Sequence, residues 1–291
     1  MRDKFVEAII NFPETKDIFF LTADLGFGSF DNLEKKLGQN YINVGVCEQN
    51  MVNVASGLSL SKKKLKVIIY SIGNFPTLRC LEQIRNNICY HKLNILIVTN
   101  GVGFSYGQLG MSHHATEDFG IMRSLPYLEI LSPCNDEDTY ALTTDWLVNG
   151  MGPAYLRLDK SQYNKSLPNI EKSKGYKILY GNSFDKKILE IYHGGISSLL
   201  NDKELKNDVC LVFKVTKGTS VSFINLLDNY QKIIVFEEQN QDAGFGQYIA
   251  WHCVKGKNHK ELIVKCVPNI LPSFVGDQIY MREQLNISKD D

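Results

Sequence analysis

The run Asn94–Thr99, NILIVT, holds four consecutive apolar residues with no polar alternation. A strand with one wet face alternates; an unbroken apolar strand needs cover on both faces. Ile18–Thr22, Lys66–Tyr70, Leu128–Leu131 and Ala154–Leu158 also read as strands, with helical stretches near 48–60, 75–91, 117–124 and 135–148 between them. Buried strands alternating with helices give a mostly parallel sheet clad on both sides. Residues 159–185 are polar and carry Pro, Gly and Lys, and read as an interdomain linker plus an antiparallel edge strand. A second α/β unit follows, with strands at Lys187–His193, Val209–Val215, Lys232–Glu237 and Leu262–Val267. The expectation is an α/β chain of two doubly wound, mostly parallel-sheet domains.

Composition removes several function classes. Lys plus Arg equals Asp plus Glu, 32 each, so no global field attracts nucleic acid or an anionic membrane. No apolar run reaches the roughly 18–20 residues that span a bilayer. The first residues, MRDKFVEAIINF, read as an amphipathic helix without the apolar core of a signal peptide. Seven cysteines are scattered without a CxxC pair, which predicts reduced thiols and a cytoplasmic location, with no metal site.

The segment Val44–Leu60, VGVCEQNMVNVASGLSL, places one carboxylate, Glu48, at the start of an apolar run. Asn50, Asn53 and Ser56 are spaced for one side of a helix, and Met51, Val52, Val54, Ala55 and Leu58 supply apolar faces. A Glu at a helix N-terminus sits in a favourable dipole field. Where apolar neighbours exclude water, such a carboxyl can hold or pass a proton to one fixed partner. An ordinary first-turn Glu is the competing reading of this segment taken alone.

The pattern G-V-x-E-Q-N-M-V-x-x-A-x-G-L resembles the pyrimidine-binding domain of thiamine-diphosphate enzymes of the transketolase family. Three more blocks resemble that family in its own order: Leu21–Leu25, LTADL; Gly107–Pro126, GQLGMSHHATEDFGIMRSLP; and Val235–Gly246, VFEEQNQDAGFG. The resemblance implies a pyrimidine-binding domain at 1–160, a linker at 161–185 and a transketolase C-terminal domain at 186–291. The family's diphosphate domain, with its Gly-Asp-Gly segment and later Asn, has no counterpart in this sequence. The resemblance therefore implies half of a split enzyme moving a two-carbon ketol unit between sugars or sugar phosphates. It implies thiamine diphosphate as cofactor, Mg²⁺ held by a separate N-terminal-half subunit, and a heterotetramer of two plus two.

The same resemblance assigns residues. Glu48 takes the place of the carboxyl that bonds pyrimidine N1′ and favours the imino tautomer the cofactor needs. Phe75 aligns with the stacking aromatic, and Ile72 replaces an aromatic beside it. His113 takes the place of the loop histidine that faces substrate oxygens, where a neutral imidazole can donate or shuttle a proton; a surface-loop histidine describes His114 better. Leu109 stands where the family has an Asp that recognises a donor hydroxyl, and Asn100 replaces a second His. Arg2, Ser29 and Lys160 stand in for the phosphate-binding set, with Lys lacking the bidentate fork of Arg. The loop Gly101–Gly110 is one residue longer than the common pattern. These departures imply a modified, unphosphorylated or nucleotide-linked sugar.

Glu237–Asn240 followed by Gly244-Phe245-Gly246 resembles the third-domain turn, its glycines permitting a tight turn into a helix. Gly194-Gly195 resembles that domain's first strand–turn–helix. The Lys run at 62–66 reads as a solvated turn. Two related activities share these motifs: the β-subunit of a 2-oxoacid dehydrogenase first component, and a deoxyxylulose-phosphate-synthase-like enzyme. A non-catalytic binding role is the third alternative, against which Glu48 and His113 both count.

Overall fold

A computed structural model describes residues 1–26, 28–165, 175–182, 187–202, 204–216, 221–256 and 260–288; the expected linker falls partly outside them. The first half runs α1 (Arg2–Ile10), β1 (Ile18–Thr22), α2 (Asp31–Leu37), β2 (Tyr41–Asn43), α3 (Glu48–Ser61), β3 (Lys66–Ile72), α4 (Asn74–Leu78), α5 (Leu81–Gln83), β4 (Ile95–Asn100), α6 (Asp118–Ser124), β5 (Glu129–Leu131), α7 (Asp136–Asn149) and β6 (Ala154–Leu158). The second half runs β7 (Tyr176–Leu179), β8 (Ile188–His193), β9 (Asp208–Val212), β10 (Lys214–Val215), α8 (Val221–Leu227), β11 (Lys232–Asn240), α9 (Phe245–Lys255), β12 (Glu261–Val267) and α10 (Gln278–Gln284). The described strands form two sheets, ordered β10-β5-β6-β4-β3-β1-β2 and β12-β11-β8-β9-β7.

Both sheets are parallel except at one edge strand each: β10 pairs antiparallel with β5, and β7 with β9. The unbroken apolar runs become central strands, with every residue of β4 and β6 buried. Alternate side chains feed two apolar layers. Val67, Ile69, Ile95 and Ile97 join one, while Ile68, Tyr70, Leu96 and Val98 join the other.

Three expectations need correction. The helix expected over 75–91 is broken at Cys80, whose backbone leaves the helical region at φ −112°, ψ 16°; α5 then runs into a π-turn over Ile84–Cys89. The strand expected over Val209–Val215 divides at Phe213. Phe213 N–H and Lys214 N–H both donate to Gly175 O, and Lys214 and Val215 cross to the other sheet as β10. The glycines after Glu237 serve close approach more than turn geometry. Gly244 has an ordinary φ of −69°. A Cβ on Gly244 would lie 2.5 Å from Glu237 Oε2, and one on Gly246 would lie 2.4 Å from Val264. Glu237 accepts from the N–H groups of Phe245 and Gly246, capping α9. Burial pushes its carboxyl up to about 8.

Where the two sheets meet, Arg157 on β6 grips Asp118 at the start of α6. Nε lies 2.7 Å from Oδ2 and Nη2 3.0 Å from Oδ1, with side chains 2% and 0% exposed. Tyr155 donates a third bond to Asp118 at 2.7 Å. Removing one partner of a buried pair strands a charge, costing about 3–5 kcal/mol, whereas exposed pairs contribute about 0–1 kcal/mol. Asp118→Asn should therefore lower unfolding free energy by about 3–5 kcal/mol in urea melts. Breaking the surface Lys62–Asp17 pair with Lys62→Met should cost under about 1 kcal/mol. Equal losses in the two variants would refute this ranking.

Candidate functional site

Parallel strands send their C-terminal ends to one edge of a sheet, where open α/β folds place their ligands. All but one of the anticipated site residues follow such ends. Ser29 lies after β1, Glu48 after β2, Ile72 and Phe75 at and after β3, Asn100 and His113 at and after β4, and Lys160 after β6. Arg2 comes instead from the first turn of α1.

Glu48 is the first residue of α3 and only 5% exposed. Asn43 braces the approach to it: its Oδ1 accepts from Asp24 N–H and Gly45 N–H, both at 3.0 Å. The carboxylate meets Arg79, whose Nη1 lies 3.1 Å from Glu48 Oε1. The same guanidinium carbon sits 3.8 Å from the centre of the Phe75 ring. The His113 ring approaches Phe75 edge-on at 5.4 Å, and its Nδ1 lies 3.0 Å from Ser112 Oγ. Burial, then the positive charge of Arg79, hold His113 below the usual imidazole value of 6.5. It is therefore predominantly neutral at pH 7 and can both donate and accept. Glu48, Phe75 and His113, separated in sequence, thus gather around one guanidinium. Ile72 ends β3 and pairs in register with Asn100 on β4.

The loop after β4 builds the other side. Reciprocal backbone bonds of 2.9 Å between Gly103 and Ala115 close its base. Inside it, Tyr106 lies against Gly101, where any Cβ would fall 2.0 Å from the ring. The Tyr106 hydroxyl accepts from Asn100 Nδ2 at 2.8 Å, and the ring carries the Lys160 ammonium at 3.8 Å. Lys160 is held below its ordinary pKa by burial and then by the charge of Arg2; the Arg2 side chain itself meets Asp3, with Nε 3.4 Å from Oδ1. Ser29 bonds within its own turn, donating its N–H to Gly26 O. A cavity of about 770 Å³ opens beside Lys160, lined also by Ser105, Gln108, Ser161, Gln278 and Arg282.

The surface-loop reading of His114 is overturned. His114 is 3% exposed, with Nε2 3.0 Å from Gly107 O and its ring edge-on to Phe104. The loop folds back across α4, where Asn74 donates to His114 O, and this draws the second histidine inward. Leu109 is exposed in a single 3₁₀ turn.

Two residues at this site escaped sequence reading, Arg79 and Tyr106. Arg79 follows Phe75 by four residues, the spacing that brings side chains together on a helix face, so a signal existed. Tyr106 sits in the irregular loop after β4, where no periodicity marks it.

Residues 6–165 match the family described as transketolase, pyrimidine binding domain. A protein from Actinobacillus succinogenes, named as a subunit of apulose-4-phosphate transketolase, is 27% identical over 229 residues, 74% of this chain and 70% of that one. A 6-deoxy-6-sulfo-D-fructose transketolase subunit from a Clostridium species is 29% identical over 160 residues, 54% of this chain and 49% of that one. A solved structure described as a split gene transketolase, inactive β4 tetramer, shares the fold with a TM-score of 0.80. It covers 98% of this chain and 91% of its own, at 22% identity.

The His113 geometry makes a direct prediction. Its Cε1 proton should titrate with a midpoint below 6.5, because burial and Arg79 both disfavour the imidazolium. Arg79→Ala removes one of those causes and should raise the midpoint. An unchanged midpoint in NMR titration of the two chains would contradict the assigned electrostatics.

Proposed function

Because the chain belongs to the transketolase family, matched over its pyrimidine-binding domain, we propose that it forms half of a split transketolase. Joined to a partner chain that holds the diphosphate and Mg²⁺, it would transfer a two-carbon ketol unit between sugars. The observation that carries this reading is the convergence of buried Glu48 and the half-buried Phe75 ring on one planar, cationic hydrogen-bond donor. A thiamine pyrimidine asks for that pair of contacts, one carboxyl in its plane and one aromatic face across it, so the residues present fit thiamine diphosphate.

When bound, the cofactor supplies a thiazolium carbon able to attack a ketose carbonyl. Glu48 would hold pyrimidine N1′ and favour the tautomer whose 4′-nitrogen accepts a proton. Phe75 and Ile72 would bound the ring slot. Neutral His113 would exchange a proton with a substrate hydroxyl. Asn100, Ser29, Arg2 and Lys160 would meet the sugar's far end, Lys160 as a point charge. In this reading residues 1–160 form the pyrimidine domain and 186–291 an assembly domain, within a cytoplasmic two-plus-two heterotetramer. Seven free thiols support the location.

The substrate is proposed to differ from the ordinary pentose phosphates. Leu109 cannot accept a hydrogen bond; where a partner chain covers this exposed turn, a substrate hydroxyl expecting one would give up water for nothing, at about 1–3 kcal/mol. The two transketolase subunits compared above, named for apulose 4-phosphate and 6-deoxy-6-sulfofructose, support an altered sugar.

Two outcomes test the reading. In the reconstituted pair, Glu48→Gln should keep the fold and slow proton–deuterium exchange at C2 of the cofactor; a wild-type exchange rate removes Glu48 from that role. With xylulose 5-phosphate and ribose 5-phosphate, kcat/KM should fall below about 10⁴ M⁻¹s⁻¹. A value above that marks a plain split transketolase.

A further inference from the structure

We propose that Arg79 is a built-in stand-in for the cofactor's aminopyrimidine: its guanidinium fills the slot between Glu48 and Phe75 and must swing outward before the cofactor enters. The inference rests on the functional reading above and adds a residue which that reading does not use.

The mimicry is chemical. A guanidinium is flat, delocalised and built on an N–C–N unit with donors in its own plane, as an aminopyrimidine is. Arg79 uses both properties, lying over the Phe75 ring at 3.8 Å while Nη1 reaches Glu48 Oε1 at 3.1 Å. The exit route is also present. The Arg79 side chain is 49% exposed while that of Glu48 is 6% exposed, so the arginine can turn into water while its anchor stays buried. The backbone need not follow, because Arg79 O is held by Gln49 Nε2 at 2.8 Å. The exchange is electrostatically coupled to the catalytic histidine candidate, since Arg79 is one of the charges that depress His113. Half-exposed cation–π and ionic contacts are individually weak. They therefore set a handicap on affinity instead of a block. A slot filled about nine-tenths of the time weakens apparent binding about tenfold.

The test uses the full chain and the fragment 4-amino-5-hydroxymethyl-2-methylpyrimidine, followed by saturation-transfer NMR and calorimetry. Arg79→Ala should tighten fragment binding about five- to tenfold. Arg79→Lys keeps the charge but loses the flat stacking group, and should also tighten it. In wild type, the ¹⁵Nε resonance of Arg79 should move toward its solvent-exposed position as fragment is added. Thermal melts establish that the variants remain folded. If wild type binds the fragment and loses it on Glu48→Gln, yet Arg79→Ala binds no more tightly, the stand-in is refuted while the pyrimidine site survives. If Arg79→Lys matches wild type while Arg79→Ala tightens, charge alone is responsible and the mimicry fails. Fragment binding absent from both wild type and Arg79→Ala overturns the stand-in and the pyrimidine-site reading together.

Discussion

The buried grip of Arg157 on Asp118 is the constraint from which the rest of the molecule is hung. It joins β6 to the start of α6, and Arg157 Nη1 reaches toward Ser132 after β5 at 3.4 Å. Tyr155 carries the network to β4 through Thr99 at 2.9 Å. With its amide turned to satisfy both neighbours, Gln239 of β11 accepts from the same guanidinium at 2.9 Å, bringing in the second sheet. A charge here is tolerable only because the surroundings compensate it. Asp118 balances Arg157. His193, stacked against Phe245 at 4.4 Å, is kept neutral by burial and by the arginine beside it. Glu237 lies near the same network with a carboxyl that burial leaves largely protonated at neutral pH. The junction of the two sheets is thus polar, with its buried charges paired.

A second buried cluster extends the first toward the candidate site. Glu238 is bonded by Arg282 and Gln278 of α10 and accepts from Phe104 N–H at 2.9 Å. Arg282 also donates to Ser161 at 2.8 Å and Ser198 at 3.0 Å. The loop that carries Tyr106 and His113 is therefore fastened at Phe104 to the second half of the chain. Its position at the strand ends is set by both sheets, though its residues all follow β4.

Much of this was legible in the sequence, and the boundary of legibility has physical causes. β1 and β6 begin and end where the apolar runs do, because a run buried on both faces leaves no ambiguity of register or face. Glu48 declared itself as an isolated carboxylate opening an apolar helix. What stayed hidden depended on long-range geometry. Strand β10 is two residues long and carries no pattern of its own; only its partner β5 defines it. His114 and His113 are neighbours of one type, and the backbone bonds that bury one and leave the other at the rim cannot be read from composition. Arg79 resembles any exposed helical cation until Glu48, thirty-one residues earlier in the chain, is brought to it. The irregular loop around Tyr106 offered residue types but no spacing to interpret.

Strand β10 has a consequence for how this chain behaves at its borders. An open sheet ends in unpaired N–H and C=O groups that invite another chain to add a strand. On one border β5 would present that face, but Lys214 and Val215 lie across it in antiparallel register, and Lys214 adds an ionic contact to Glu129 at 3.0 Å. On the other border β2 is only three residues long. A two-residue detour of the second half thus acts as selvedge for the first, trimming the sheet against fraying into aggregates.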